Sequence, residues 1–265
     1  MTYTLPIRAF FSFCIKIQIP DIIEMDFVEQ SYWDKSYKDI ELKALGENDP
    51  IKIWIESHIS KSSGKCLEIG CFPGGILTIF GDLGYELHGV DLTHRVEVDL
   101  PRWLKLKGYR VGEFHRIDIL QFYPNEQYDI VSSFGFIEHF SDWRGVLLKH
   151  ASLVKKGGFL IIETPNFRGV IQRFLHLAFD KENYERHNID SMKPHEWGKI
   201  MIERGFEIVY CGYFGNFLFW VDDDERNWIQ KMLINLVQST TKRCLKYLPN
   251  NRIYSPCCGL ICKKL

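Results

Sequence analysis

Residues 65–75 read KCLEIGCFPGG, and the fold turns on what this stretch does. Cys66-Leu67-Glu68-Ile69 has the length and apolarity of a short buried strand. Gly70, Gly74 and Gly75 then let the chain reverse tightly, and Ile76 to Phe80 is apolar enough to open a helix. A strand, a glycine turn and a helix N-terminus together make a cradle. Its free N–H groups and missing side chains suit the close approach of a nucleotide-like ligand. A plain tight turn has the same local sequence, so the rest of the chain decides.

Outward from the turn, strands and helices alternate. Strands are expected at 85–90 (YELHGV), closing on Asp91, at 114–117, closing on Asp118, at 128–133 (YDIVSS) and at 159–163 (FLIIE), the last introduced by Lys155-Lys156-Gly157-Gly158. Helical stretches at 76–83, 100–107 and 143–154 separate them. Ahead of the turn come a helix near 29–34 (EQSYWD), a loop at 46–50 and a helix at 51–60. Behind the fifth strand the pattern predicts a helix at 195–204, a strand at 206–213, an apolar and acidic loop at 217–225 (FLFWVDDDE), a helix at 226–247 and a last strand near 258–263. No internal repeat or low-complexity tract interrupts this. The alternation implies an α/β fold: a doubly wound, mainly parallel sheet covered by helices on both faces, with ligands at the strand C-termini.

Composition narrows the partners. A chain of 265 residues with 46% hydrophobic content can bury a substantial core. The formal net charge of -1 gives no basic footprint, so wholesale binding to nucleic acid or to an anionic membrane is disfavoured. Cysteines 14, 66, 71, 211, 244, 257, 258 and 262 lie mostly in apolar runs, where a free thiol packs as a small hydrophobe, and a reducing cytoplasm is the expected compartment. Cys244, Cys257, Cys258 and Cys262 form no pair of C-x-x-C knuckles and have no histidine nearby, so no metal site is expected. Residues 6–23 are apolar, yet Arg8, Lys16, Gln18 and Asp21 break them well short of the ~20 residues that span a bilayer, and they make a poor signal peptide. Residues 1–24 therefore read as an N-terminal extension, with Met25 as an alternative start. Residues 25–265 read as a single domain with a helical insertion at about 222–250.

Three acids carry the chemistry. Asp91 stands 21 residues after Gly70, at the expected end of the second strand, where a carboxylate accepts hydrogen bonds from both hydroxyls of a ribose. Glu68, two residues ahead of Gly70, would repel a pyrophosphate and tolerate a cationic ligand, which points away from NAD. Asp118 is placed either to accept from an adenine amino group or only to cap a turn.

With these residues, and with YDIVSSFGFIEHF (128–140) and KKGGFLIIETPN (155–166), the chain resembles the class I S-adenosylmethionine-dependent methyltransferases over roughly residues 32–213 and the final strand. The resemblance implies a Rossmann-like sheet of about seven strands, mostly parallel with an antiparallel last strand. It also implies S-adenosylmethionine as cofactor and S-adenosylhomocysteine as product. Glu68, Gly70 and Gly74 would hold the methionine portion, Asp91 the ribose and Asp118 the adenine, with Cys71, Phe72, Leu92, Ile119 and Phe134 around them. Phe72 departs from the family pattern, standing where the turn has its middle glycine, which leaves open how closely the cofactor approaches. The Glu138-His139 pair and Gly157-Gly158 fit the branches that act on small molecules and glycans. O-methylation of a small-molecule or glycan precursor is the expected activity, although neither the acceptor nor the oligomeric state follows. Two rivals stand beside it: a catalytically silent S-adenosylmethionine-binding interaction module, and an NAD-dependent oxidoreductase, for which no hydride-transfer residues are found.

His139 is the expected catalytic residue. A hydroxyl acceptor must lose a proton, and an imidazole titrating near neutrality is a natural base. The alternative is that His139 only hydrogen-bonds the cofactor or a carbonyl. His187 and His195, in RHNIDSMKPHEW (186–197), are second choices from the expected loop after the fifth strand. Tyr32 and Trp33 either shield the cofactor or simply pack.

Overall fold

The computed structural model describes residues 27–221, 226–240 and 247–265. The extension expected at 1–24 with its Met25 start, the acids of the 217–225 loop and the far end of the 226–247 helix lie outside these residues.

Helices α1 (Gln30–Tyr37) and α2 (Pro50–Glu56) precede β1 (Lys65–Ile69), α3 (Leu77–Asp82) and β2 (Glu86–Asp91). Next come α4 (Asp99–Leu106), β3 (Val111–Arg116), β4 (Tyr128–Phe134), α5 (Trp143–Leu153) and β5 (Val154–Pro165). The chain continues through α6 (Val170–Phe179), α7 (Lys181–Glu185), α8 (Pro194–Glu203), β6 (Phe206–Phe214), α9 (Trp228–Thr240) and β7 (Cys257–Lys264). Local chemistry sets the helix starts. Asp49 accepts the Ile51 N–H (2.8 Å) with Pro50 in the first helical position, and Asp142 accepts the Gly145 N–H (3.0 Å) at the head of α5.

The strands form one sheet in the order β3-β2-β1-β4-β5-β7-β6. Strands β1 to β5 pair in parallel, and β7 inserts antiparallel to both β5 and β6. Period-two alternation sends successive side chains to opposite faces. Leu67, Ile69, Leu160, Ile162, Leu260 and Cys262 pack against α5 and α8 through Trp143, Val146, Trp197 and Met201. Cys66, Ile130, Ile161 and Ile261 pack against α2, α3 and α4 through Trp54, Leu77, Phe80 and Leu100. Each aliphatic side chain so buried stabilises the sheet by roughly 1.5–3 kcal/mol. The Rossmann-like sandwich expected from the sequence is thus formed.

Strand order reverses between β1 and β4, since the chain runs outward through β2 and β3 and then returns to the other side of β1. Such a reversal opens a crevice at the strand C-termini. The glycine turn leaves β1 on one side of it, and residues 134–140 leave β4 on the other.

Three boundaries differ from the sequence reading. Strand β3 begins at Val111 and stops at Arg116, where 114–117 was expected. Gly112 and Glu113 hide its start, and Gly112 is needed there because a Cβ would run into the His88 ring. Strand β5 begins at Val154, so the 155–158 run belongs to it; the pairing jumps from Tyr128↔Val154 to Ile130↔Phe159, and Gly157 takes up the irregularity with φ +79. The segment read as a loop after the fifth strand contains α6 and α7. Helix α6 buries Gln172, Leu175 and His176, and Leu175 joins Phe219 and Ile234 of α9 in a small cluster of its own.

Candidate active site

The crevice is a cavity of about 750 Å³. Residues 68–76, the end of β2, residues 117–119 and residues 134–136 wall it, with Val28, Trp33 and Tyr37 of the N-terminal segment, Lys43 and Leu45 opposite. Every residue expected to surround a cofactor lines it: Glu68, Gly70, Cys71, Phe72, Gly74, Asp91, Leu92, Asp118, Ile119 and Phe134. His139 lines it too.

The turn is shaped for close approach. Gly70 has φ +70, and a Cβ there would sit 2.5 Å from Cδ2 of Phe136. Gly74 has φ +85, and its Cβ would meet Leu100. Both the backbone and the neighbouring side chains therefore demand glycine. The middle position holds Phe72 without blocking the turn, because its ring is only 3% exposed, packed against Tyr37 (5.1 Å between centroids) with the Arg95 guanidinium 5.1 Å over it.

Main-chain donors from both sides fix Asp91. Phe72 N–H donates to Oδ2 (3.0 Å) and Thr93 N–H to Oδ1 (2.8 Å), tying the end of β2 to the glycine turn. Burial pushes this carboxyl above its ordinary value, and the Thr93, Phe72 and Leu92 N–H groups oppose that shift. Glu68 is treated differently. It is 3% exposed, and its Oε2 has no hydrogen-bond partner among the described residues. Burial, aided by the Asp91 charge, pushes its carboxyl well above the usual carboxylate range. In that setting a cationic group that pairs with the carboxyl would favour its charged form.

Asp118 caps a turn and also lines the cavity. Its Oδ1 accepts the Leu120 N–H (2.9 Å) at the head of a short 3₁₀ turn, Ile119–Gln121, while the residue also forms part of the cavity wall.

His139 is 4% exposed, and its Nδ1 lies 3.1 Å from the Arg186 carbonyl. A carbonyl only accepts, so Nδ1 carries the proton and Nε2 keeps the lone pair. Burial lowers its pKa to about 4, against the opposing pull of that carbonyl. The expectation of an imidazole titrating near neutrality is therefore corrected: desolvation keeps His139 neutral throughout the physiological range. Trp33 meets its ring edge-on at 5.2 Å, and Tyr32 in turn meets Trp33 edge-on at 5.2 Å without lining the cavity. His187 lies beside His139, with ring centroids 4.8 Å apart. His195 does not line the cavity; its Nδ1 lies 3.4 Å from Cys211 Sγ, between α8 and β6.

Tyr37, Gly135, Phe136 and Phe140 complete the lining and were not picked out from the sequence. The signal for Tyr37 is its place one helical turn after Trp33, so both rings share a face of α1. Burial and the nearby Asp91 push its phenol up.

Comparison with known proteins adds three findings. Residues 53–210 match the family described as a methyltransferase domain. Among curated proteins, the ubiquinone biosynthesis O-methyltransferase of Stutzerimonas stutzeri is 27% identical over 149 residues, 55% of this chain and 62% of that protein. Its counterpart from Burkholderia vietnamiensis is 28% identical over 138 residues, 51% of this chain and 58% of that protein. The match thus spans about three-fifths of the length of these relatives. Among solved structures, a methyltransferase from Thiobacillus denitrificans in complex with S-adenosyl-L-homocysteine superposes with a TM-score of 0.55 at 14% identity, covering 90% of this chain and 99% of that one. One from Archaeoglobus fulgidus gives 0.51 at 20% identity, covering 89% and 99%. At such identities the likeness is one of fold.

Proposed function

The chain belongs to the methyltransferase-domain family, and from that premise we propose that it transfers a methyl group from S-adenosylmethionine to a hydroxyl of a small-molecule or glycan precursor. The buried Glu68 carboxyl on the cavity wall, whose Oε2 has no partner among the described residues, is the observation that carries this reading. The α-ammonium of the methionine portion supplies the missing partner, whereas the pyrophosphate of a dinucleotide would face a second anion.

When bound, the cofactor supplies an electrophilic methyl group on a sulfonium. The chain's own residues do the rest. Gly70 and Gly74 let the main chain come close, Glu68 pairs with the ammonium, and Asp91, already oriented by two N–H donors, accepts from the ribose hydroxyls. Asp118 and Ile119 border the adenine, with Cys71, Phe72, Leu92 and Phe134 excluding water. His139 offers its Nε2 lone pair at the acceptor edge, where a hydroxyl must give up its proton. The choice of oxygen is supported by the names of the curated relatives, both O-methyltransferases.

A reducing, cytoplasmic setting is supported by the free thiols of the six cysteines among the described residues. No helix among those residues is long and apolar enough to cross a membrane. We propose further that residues 25–265 are one domain and that 1–24 are dispensable. A chain begun at Met25 is expected to stay soluble and to bind S-adenosylhomocysteine with unchanged affinity in calorimetry; lost solubility or affinity would place 1–24 in the folded body.

The activity itself is tested by incubating the full chain with S-adenosylmethionine and a panel of phenols and nucleotide sugars. S-adenosylhomocysteine accumulating above the acceptor-free rate with one class of acceptor is the expected result. Cofactor binding without turnover on any of them would favour a silent binding module.

A further inference from the structure

Beside the cavity lies a second group of side chains that cofactor binding does not use. We propose that Glu138, His139 and His187 form a site for one divalent transition-metal ion of the zinc and manganese class. One donor atom from each lies within 4.8 Å of the others. Ligands about 2.1 Å from a shared ion stand roughly 3.4 Å apart in tetrahedral geometry, so side-chain shifts of about an ångström close the site.

Two independent features of the three residues favour an ion. Both imidazoles are held by the nitrogen that would not coordinate. His139 Nδ1 donates to the Arg186 carbonyl (3.1 Å) and His187 Nδ1 to the Asn183 carbonyl (2.6 Å), which leaves both lone pairs on Nε2. Metal-ligating histidines are oriented in this way, by donating their other ring N–H to a carbonyl or carboxylate. Glu138 supplies the second feature. It is fully buried, and neither of its carboxylate oxygens has a hydrogen-bond partner among the described residues. A carboxylate without a partner inside a protein is costly, and a cation satisfies both oxygens at once.

The fold brings these residues together by design of its main chain. Glu138 and His139 sit in the 3₁₀ turn Ile137–His139 that leaves β4. His187 follows α7, and its neighbour Asn188 pins that segment to the same turn: Asn188 N–H donates to the Glu138 carbonyl (2.7 Å) and Asn188 Nδ2 to the Phe140 carbonyl (3.0 Å). Two imidazoles and one carboxylate suit zinc or manganese better than calcium or magnesium, which prefer oxygen ligands. Three protein ligands leave a coordination position for water or for a substrate oxygen.

Because His139 also lines the cavity, an ion on it lies next to the acceptor edge, where it would lower the pKa of a coordinated hydroxyl. This use rests on the methyltransferase reading, although binding of the ion does not. With the ion bound, His139 Nε2 is its ligand; in the metal-free chain the same nitrogen is the proton acceptor.

The test strips the full chain with a chelator, dialyses it against Zn²⁺ or Mn²⁺, and measures bound metal by mass spectrometry and S-adenosylhomocysteine binding by calorimetry on the same samples. One ion per chain is expected. Glu138→Gln and His187→Ala should each weaken metal binding about 100-fold while leaving S-adenosylhomocysteine affinity unchanged. Glu138→Gln is isosteric and removes only the carboxylate ligand, so it reports even if His187→Ala does not fold. A Co²⁺-loaded wild type should show the visible absorption of a tetrahedral or five-coordinate site, lost in both variants. Absence of stoichiometric metal in the wild type, or equal metal in all three proteins, overturns the proposal. Metal loss with S-adenosylhomocysteine still bound leaves the cofactor reading standing, and metal bound without any methionine cofactor sinks that reading alone.

Discussion

His139→Ala is expected to turn over a hydroxyl acceptor roughly 10²- to 10⁴-fold more slowly than the wild type, with little change in S-adenosylhomocysteine affinity. The loss should fall on turnover because His139 lines the cavity at the β4 side, away from the acids proposed to meet the cofactor, and because its Nδ1 is engaged by the Arg186 carbonyl. The same variant fixes a pH dependence. With its pKa lowered to about 4, His139 is a neutral base at every higher pH and becomes protonated only as the pH falls through that value. Its contribution to the rate should therefore be flat across neutrality and vanish near pH 4. A limb near neutrality that disappears in the variant would mean that substrate binding raises the pKa. Unchanged turnover would make the ring structural, and a large loss of cofactor affinity would move it into the binding shell.

Asp91→Ala should bind S-adenosylhomocysteine about tenfold or more weakly, a cost of ~1–3 kcal/mol. Two losses combine in it. The ribose hydroxyls lose their acceptor, and the N–H groups of Phe72 and Thr93 lose theirs, which frees the glycine turn from the end of β2. Asp91→Asn keeps one acceptor oxygen and should fall between the two. Calorimetry on the three proteins measures this directly, and equal affinities would show that the ribose is held elsewhere.

The residues that announce the fold are those whose neighbours in sequence are also their neighbours in space. KCLEIG is buried on both faces, so it reads as a continuous apolar run, and the glycines that follow it are required by φ and by Phe136 and Leu100. Asp91 is legible because a parallel strand one crossover later ends at a predictable spacing. Strand β3 was less so, since it lies at the sheet edge with Gly112 and Glu113 at its start. Helix α6 was passed over although Gln172, His176 and Asp180 recur at helical spacing. Those are polar residues buried in a local network, where His176 meets Asp180 at 3.3 Å and Asn183 donates to Asp180 (2.8 Å), so a search for apolar periodicity misses them.

The candidate site shows the same division. Its cofactor side rests on one turn and two strand ends, all local in sequence. The Glu138–His139–His187 group depends on a contact across nearly fifty residues, created when Asn188 docks on the turn after β4. No spacing rule foretells that contact, and the desolvation that sets the His139 pKa arises from the same packing.

The glycine turn, Glu68 and Asp91 are proposed to hold a methionine-bearing adenosine cofactor. Titration calorimetry of the full chain with S-adenosylmethionine, S-adenosylhomocysteine and NADH, side by side, tests it most directly. One site per chain is expected for each of the first two, with no measurable binding of NADH; tighter binding of NADH than of either would make the crevice a dinucleotide site instead.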